Sequence, residues 1–266
     1  MIINFYTTQR RYLKITFYIL IFVISLATIT YGQQLNQYSQ FTFNKYAFNP
    51  AFAGLDFSVS ANLMYRNQWD GIDSNPSDIH LNVHTPFYLW SGAIGGLVDR
   101  QSHGVLSRTS LMGSYNNVQS LSIGLLSFGG RVGITQMAID GSSIITPEGD
   151  YTGIFSHNDP ILLESVDQGI GMIWDAGIYF YNKKIEAGIA LSQLPQTSVA
   201  LSETIFKLAS HLNGYFQYNF RINEQVVLEQ SIMLRTDLVV IQSDISSIMK
   251  INGNIFGGIN LRGYDS

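Results

Sequence analysis

Five histidines carry the only imidazoles of the chain, and two of them, His80 and His84, stand four residues apart. On a helix that spacing puts both rings on one face, as a metal site needs. On a strand it leaves them about 13 Å apart, too far to share one ion. The surrounding residues alternate as they do in a strand, so both histidines read as polar-face residues. No H-E-x-x-H occurs, and His103, His157 and His211 have no neighbouring carboxylate in sequence beyond Asp159. Asp70, Asp73 and Asp78 could offer oxygen ligands to Ca²⁺, but their spacing is not that of an EF-hand, and a solvated turn accounts for them better. There is no Cys, hence no disulfide, thiolate nucleophile or Cys-metal site. Neither G-x-S-x-G nor a strand-to-helix G-x-G-x-x-G is present. These residues point to no enzyme, no metal and no cofactor. An outer-membrane hydrolase would need Ser/His or Asp/His pairs converging on one rim, and the sequence shows none.

What stands out is aromatic and amide-rich. "QQLNQYSQFTFNKYAFNPAFAGLDFSVSANLMYRNQWDGI" runs from Gln33 to Ile72. Within it Tyr65, Arg66, Gln68 and Trp69 cluster at a strand end. There the guanidinium of Arg66 could stack on a ring or bind a partner's carboxylate, or simply anchor the strand at an interface.

The elements that position these residues follow from the rest of the sequence. Of 266 residues only 13% are charged, against roughly 25% in soluble domains. The mean hydropathy of +0.12 is still too low for a bundle of membrane helices. "RRYLKITFYILIFVISLATITYG" has a basic start, an apolar run from Ile15 to Ile29 and small residues after it. That is a secretory signal peptide over 1–32, and an uncleaved anchor is the other reading. The run falls short of the ~20 residues that a spanning helix needs. The leader's Arg10, Arg11 and Lys14 leave the remainder more acidic than the whole-chain charge of −4, which argues against nucleic acid as a partner.

Beyond the leader the sequence alternates. Phe57, Val59, Ala61, Leu63 and Tyr65 oppose Ser58, Ser60, Asn62, Met64 and Arg66, and similar patterns recur around 79–84, 211–220, 226–235 and 254–262. Strands are predicted at 57–67, 77–87, 91–101, 105–116, 118–128, 130–140, 170–182, 184–193, 207–220, 225–236, 243–252 and 254–263, about 12 in all. Gly95-Gly96 and Gly129-Gly130 read as strand bends. Strands of a sandwich average five or six residues, whereas bilayer-spanning strands need about 9–11 with one apolar face. The polar faces carry Arg, His, Asn and Glu in mid-strand, and aromatics gather near the ends. The expected fold class is therefore all-β: an antiparallel transmembrane β-barrel of about 12–14 strands. A soluble secreted sandwich is the distant alternative. Residues 141–169 are expected to form a long extracellular or lumen-folded loop, or else a plain connector. Residues 33–56 form an N-terminal motif segment, a barrel plug or a periplasmic docking piece, and 57–266 the barrel.

The chain resembles the PorP/SprF family of Bacteroidetes outer-membrane proteins, linked to the type IX secretion system and gliding motility. The resemblance is carried by Gln37-Tyr38-Ser39-Gln40-Phe41, Asn44 and Asn49-Pro50-Ala51-Phe52-Ala53-Gly54, then by Tyr65-Arg66-Asn67-Gln68-Trp69-Asp70-Gly71-Ile72 with Pro76. Glu186-Ala187-Gly188-Ile189-Ala190-Leu191-Ser192 is a weaker third echo. It implies a non-enzymatic component or accessory of type IX secretion. Its partners would be periplasmic and outer-membrane machinery, outer-membrane lipid, and a secreted cargo or adhesin with a C-terminal sorting domain. The residues that the resemblance marks for partner binding or plugging are Gln40, Phe41, Asn44, Asn49, Pro50, Phe52, Gly54, Tyr65, Arg66, Gln68 and Trp69. It also implies a barrel of about 14 strands, more than the alternation supplies. The closing "GNIFGGINLRGYDS" is accordingly read as a truncated end, the alternative being closure with fewer strands. A passive channel for small solutes is the rival function.

Overall fold

The computed structural model describes residues 40–263 except 73, 88–89, 145, 147–164, 196 and 202–204. The leader, Gln37, His157, Asp159 and residues 145 and 147–164 of the expected 141–169 loop lie outside the described residues, while 166–169 already belong to β6. Eleven strands form one antiparallel meander: β1 (Ser60–Asn67), β2 (Ser77–Phe87), β3 (Gly92–His103), β4 (Leu106–Leu121), β5 (Gly124–Asp140), β6 (Val166–Tyr181), β7 (Ile185–Leu194), β10 (His211–Arg221), β11 (Val226–Thr236), β12 (Ile241–Ile251) and β13 (Ile255–Arg262). A separate hairpin, β8 (Ser198–Ala200) with β9 (Ile205–Lys207), lies between β7 and β10 in sequence.

Side chains are arranged inside out. On β2, His80, Asn82 and His84 are 1–3% exposed, while Ile79, Leu81 and Val83 between them are 44–46% exposed. The same alternation runs through β3 to β12. A water-soluble protein rarely shows a contiguous apolar surface beyond a few hundred Å², so an outward face bearing Val98, Leu111, Val132, Ile134, Ile170 and Ile189 demands an apolar solvent.

The sheet is curled. Before β1 lie a 3₁₀ turn (Phe41–Phe43), the one-turn helix α1 (Lys45–Phe48) and a second 3₁₀ turn (Pro50–Phe52). The Tyr46 ring lies 4.9 Å from His84 of β2, and the Phe43 ring lies 5.3 Å from Phe256 of β13. In a flat sheet β2 and β13, nine spacings apart, would be about 43 Å from each other. Two side chains three residues apart can reach both only if the sheet rolls round them.

No pairing joins β1 to β13 among the described residues. With eleven strands in an antiparallel meander the first and last run in the same direction, so they cannot pair antiparallel with each other. The connections divide unequally between the two ends of the sheet. Connections 88–91, 122–123, 182–184, 222–225 and 252–254 sit at the end where the chain enters β1, none longer than four residues. At the opposite end are 68–76, 104–105, 141–165, 195–210 and 237–240.

Two expectations are corrected. The stretch expected as three strands, 105–116, 118–128 and 130–140, is two long ones, β4 and β5, of 16 and 17 residues. The Gly129-Gly130 pair, read as a strand bend, lies where another segment presses on the sheet. Moreover β1 begins at Ser60, because Phe57 turns the chain with φ +58°.

Candidate functional site

The site grows from Asn49. Its Oδ1 accepts from Ala51 N at 2.9 Å, which starts the second 3₁₀ turn. Pro50 follows at a position whose N–H would have no partner in that turn. The Asn49 Nδ2 donates to the Ile178 carbonyl of β6 at 3.1 Å and the Ile189 carbonyl of β7 at 3.3 Å. One amide thus shapes its own loop and fastens it to two strands. Gly54 then reverses the chain with φ +68°, a conformation open to glycine, and its N–H donates to His84 Nδ1 at 3.1 Å.

The sheet receives this segment on a bare floor. A Cβ on Gly129 of β5 would lie 2.5 Å from Ala51 N, and one on Gly177 of β6 would collide with the Asn49 amide. Ala51 and Ala53 are fully buried. From β4, Asn116 Nδ2 donates to the carbonyls of Ala51 at 3.0 Å and Ala53 at 2.7 Å. From β5, Arg131 donates to the carbonyls of Tyr46 at 3.2 Å and Ala47 at 3.1 Å, and it is held in place by Asp175 at 2.6 Å.

The charged contact is Lys45 with Glu186 of β7, at 2.6 Å. Glu186 also accepts from Tyr179 Oη at 2.7 Å. Burial draws the Lys45 ammonium below its ordinary range, and Glu186 opposes that shift. Phe52 and Tyr215 flank the ammonium with ring centroids 5.5 and 5.3 Å away. Phe41 meets the Tyr215 ring edge-on, and Phe52 meets Tyr179 in the same way. Beyond the segment, towards the long connections, lies a cavity of about 110 Å³ lined in part by Asn44, Phe48, Asp99, Arg108 and Asp175. Further along, Val199 of β8 and Leu208 pack on Leu97, Met112, Met137 and Ile173.

Of the residues singled out in the sequence, Phe41, Asn44, Asn49, Pro50, Phe52 and Gly54 come together here, and Gln40 stands at the segment's exposed start. Asn44 Oδ1 accepts from Asn82 at 2.9 Å. Tyr65, Arg66, Gln68 and Trp69 lie at the other end of β1, about 26 Å of strand away. Tyr65 and Trp69 are 65% and 70% exposed on the outward side, so the two motif blocks do not form one site. Asp70 is exposed in the β1–β2 connection while Asp78 is buried in β2, and Asp73 is outside the described residues. Among the described residues no group of three His, Cys, Asp or Glu could hold a metal ion.

Asn116, Arg131 and Gly177 escaped sequence reasoning, while Gly95 and Gly129 were read only as parts of strand bends. Glu186 and Gly188 left a signal, in the third echo. Neither a curated protein nor a solved structure matches the chain. A family model described as "Type IX secretion system membrane protein PorP/SprF" matches residues 30–266.

Proposed function

Because the chain belongs to the type IX secretion system membrane protein family PorP/SprF, we propose that it is an outer-membrane β-barrel that serves type IX secretion by binding, with no catalysis of its own. One observation carries this reading beyond the family: the sheet is inside out and rolled round its own N-terminal segment. An apolar exterior suits lipid, and an interior already occupied suits a scaffold that presents its ends to proteins. The short connections would face periplasmic machinery, and the long ones a secreted cargo or adhesin. Burial of Phe41, Asn49 and Pro50 favours plugging over external docking for that segment. A passive solute channel fits an interior filled this way less well.

The test is export in cells lacking the chain. Cargo bearing type IX sorting domains should fail to reach the surface, and cross-linking of the restored protein should recover secretion components. Normal export together with no cross-linked component would reject the proposal.

A further inference from the structure

We infer that residues 40–56 are a permanent strut that the sheet needs to hold its curl, and that they do not withdraw to open a path. The inference goes beyond the binding role above and does not rest on it.

The segment bridges both ends of the sheet. Phe43 packs on Phe256 of β13, while Tyr46 and Phe52 pack on His84 of β2. Between these ends it is gripped by its main chain as much as by its side chains. Arg131 and Asn116 take four of its carbonyls, and His84 takes the Gly54 N–H. The grip is mutual, because Asn49 takes two carbonyls of the sheet.

A plug designed to leave needs a wall that is complete without it. Here the wall is bare where the segment sits, at Gly95 under Tyr46, at Gly129 under Ala51 and at Gly177 under Asn49. Withdrawal would leave those places without side chains to close them. It would also break the 2.6 Å contact of Lys45 with Glu186. By contrast, the link to β1 lies at the surface: Asp56, Phe57, Ser58 and Val59 are all exposed. The segment is therefore held by its seat and not by its tether.

That difference can be tested in the full chain. A protease site is inserted between Ser58 and Val59, the purified protein is cut in detergent, and the pieces are followed by size exclusion and in planar bilayers. The cut segment should co-elute with the sheet until the sample is boiled, and the bilayers should stay silent before and after cutting. Release of the segment on cutting, or steady channels afterwards, would overturn the inference. Gly129→Val fills a seat from the sheet side. It should abolish the folded form altogether. A folded sheet whose N-terminal segment has become open to protease would show a displaceable plug and sink the inference. Neither assay reads export, so failure here leaves the secretion role untouched, and failure of that role leaves the strut standing.

Discussion

Asn116 and Asn117 are neighbours in β4 that face opposite ways. Asn116 is fully buried, with Oδ1 accepting from Ala93 N at 2.7 Å and Nδ2 spread over Ala51, Ala53 and Ser127. Asn117 faces outward, reaches the Trp90 and Ser91 carbonyls at 3.4 and 3.5 Å, and accepts from the Gln119 amide. Asn116→Ala strands a buried N–H and buried carbonyls, each worth about 1–3 kcal/mol when unsatisfied. Asn117→Ala should stay within about 0.5 kcal/mol, as most surface substitutions do. Urea midpoints of the refolded protein measure both, and equal effects would mean that Asn116 does not hold the segment. The segment itself was legible, since Asn49-Pro50 and Gly54 announce a turn and Phe41, Tyr46 and Phe52 demand burial. Its partners were not. Asn116, Arg131, Tyr179 and Glu186 come from four strands, and nothing short of the curl brings them to one place.

At the scale of elements, alternation revealed the strands and hid some of their ends. Gly129-Gly130 looks like a bend because glycine weakens a strand, yet it lies within an unbroken ladder from Gly124 to Asp140. The missing side chain makes room for Ala51, a reason that period-two reading cannot see. The β8–β9 hairpin was missed for another reason: strands of three residues carry too little alternation to register. The same periodicity did identify the outward face correctly, and its solvent can be tested. Val132 is the middle residue of β5 and points outward, and Leu121 points outward at the end of β4. In lipid, Val132→Arg should cost about 2–4 kcal/mol and Leu121→Arg about 0–1. Folding into vesicles at graded urea reads the difference. Small and equal costs would put this face in water and remove the membrane assignment at its root.

For the molecule as a whole, the unequal connections give the proposed barrel an orientation that can be tested. A hairpin that crosses the bilayer carries its connection through the hydrocarbon, and every polar group in transit is costly. Outer-membrane barrels have short turns on the periplasmic side and long loops outside. Here the short connections share an end with the entry into β1, so the N-terminal segment need not cross with a long loop. Residue 183 should then face the periplasm and residue 70 the exterior. The chain has no cysteine, so a single introduced thiol reports without background. Asp70→Cys and Lys183→Cys both alter exposed connections. A membrane-impermeant maleimide should label Asp70→Cys on intact cells and Lys183→Cys only after permeabilisation. The opposite pattern would turn the short-turn end outward, and the machinery and the cargo would have to exchange sides in any account of what this protein holds together.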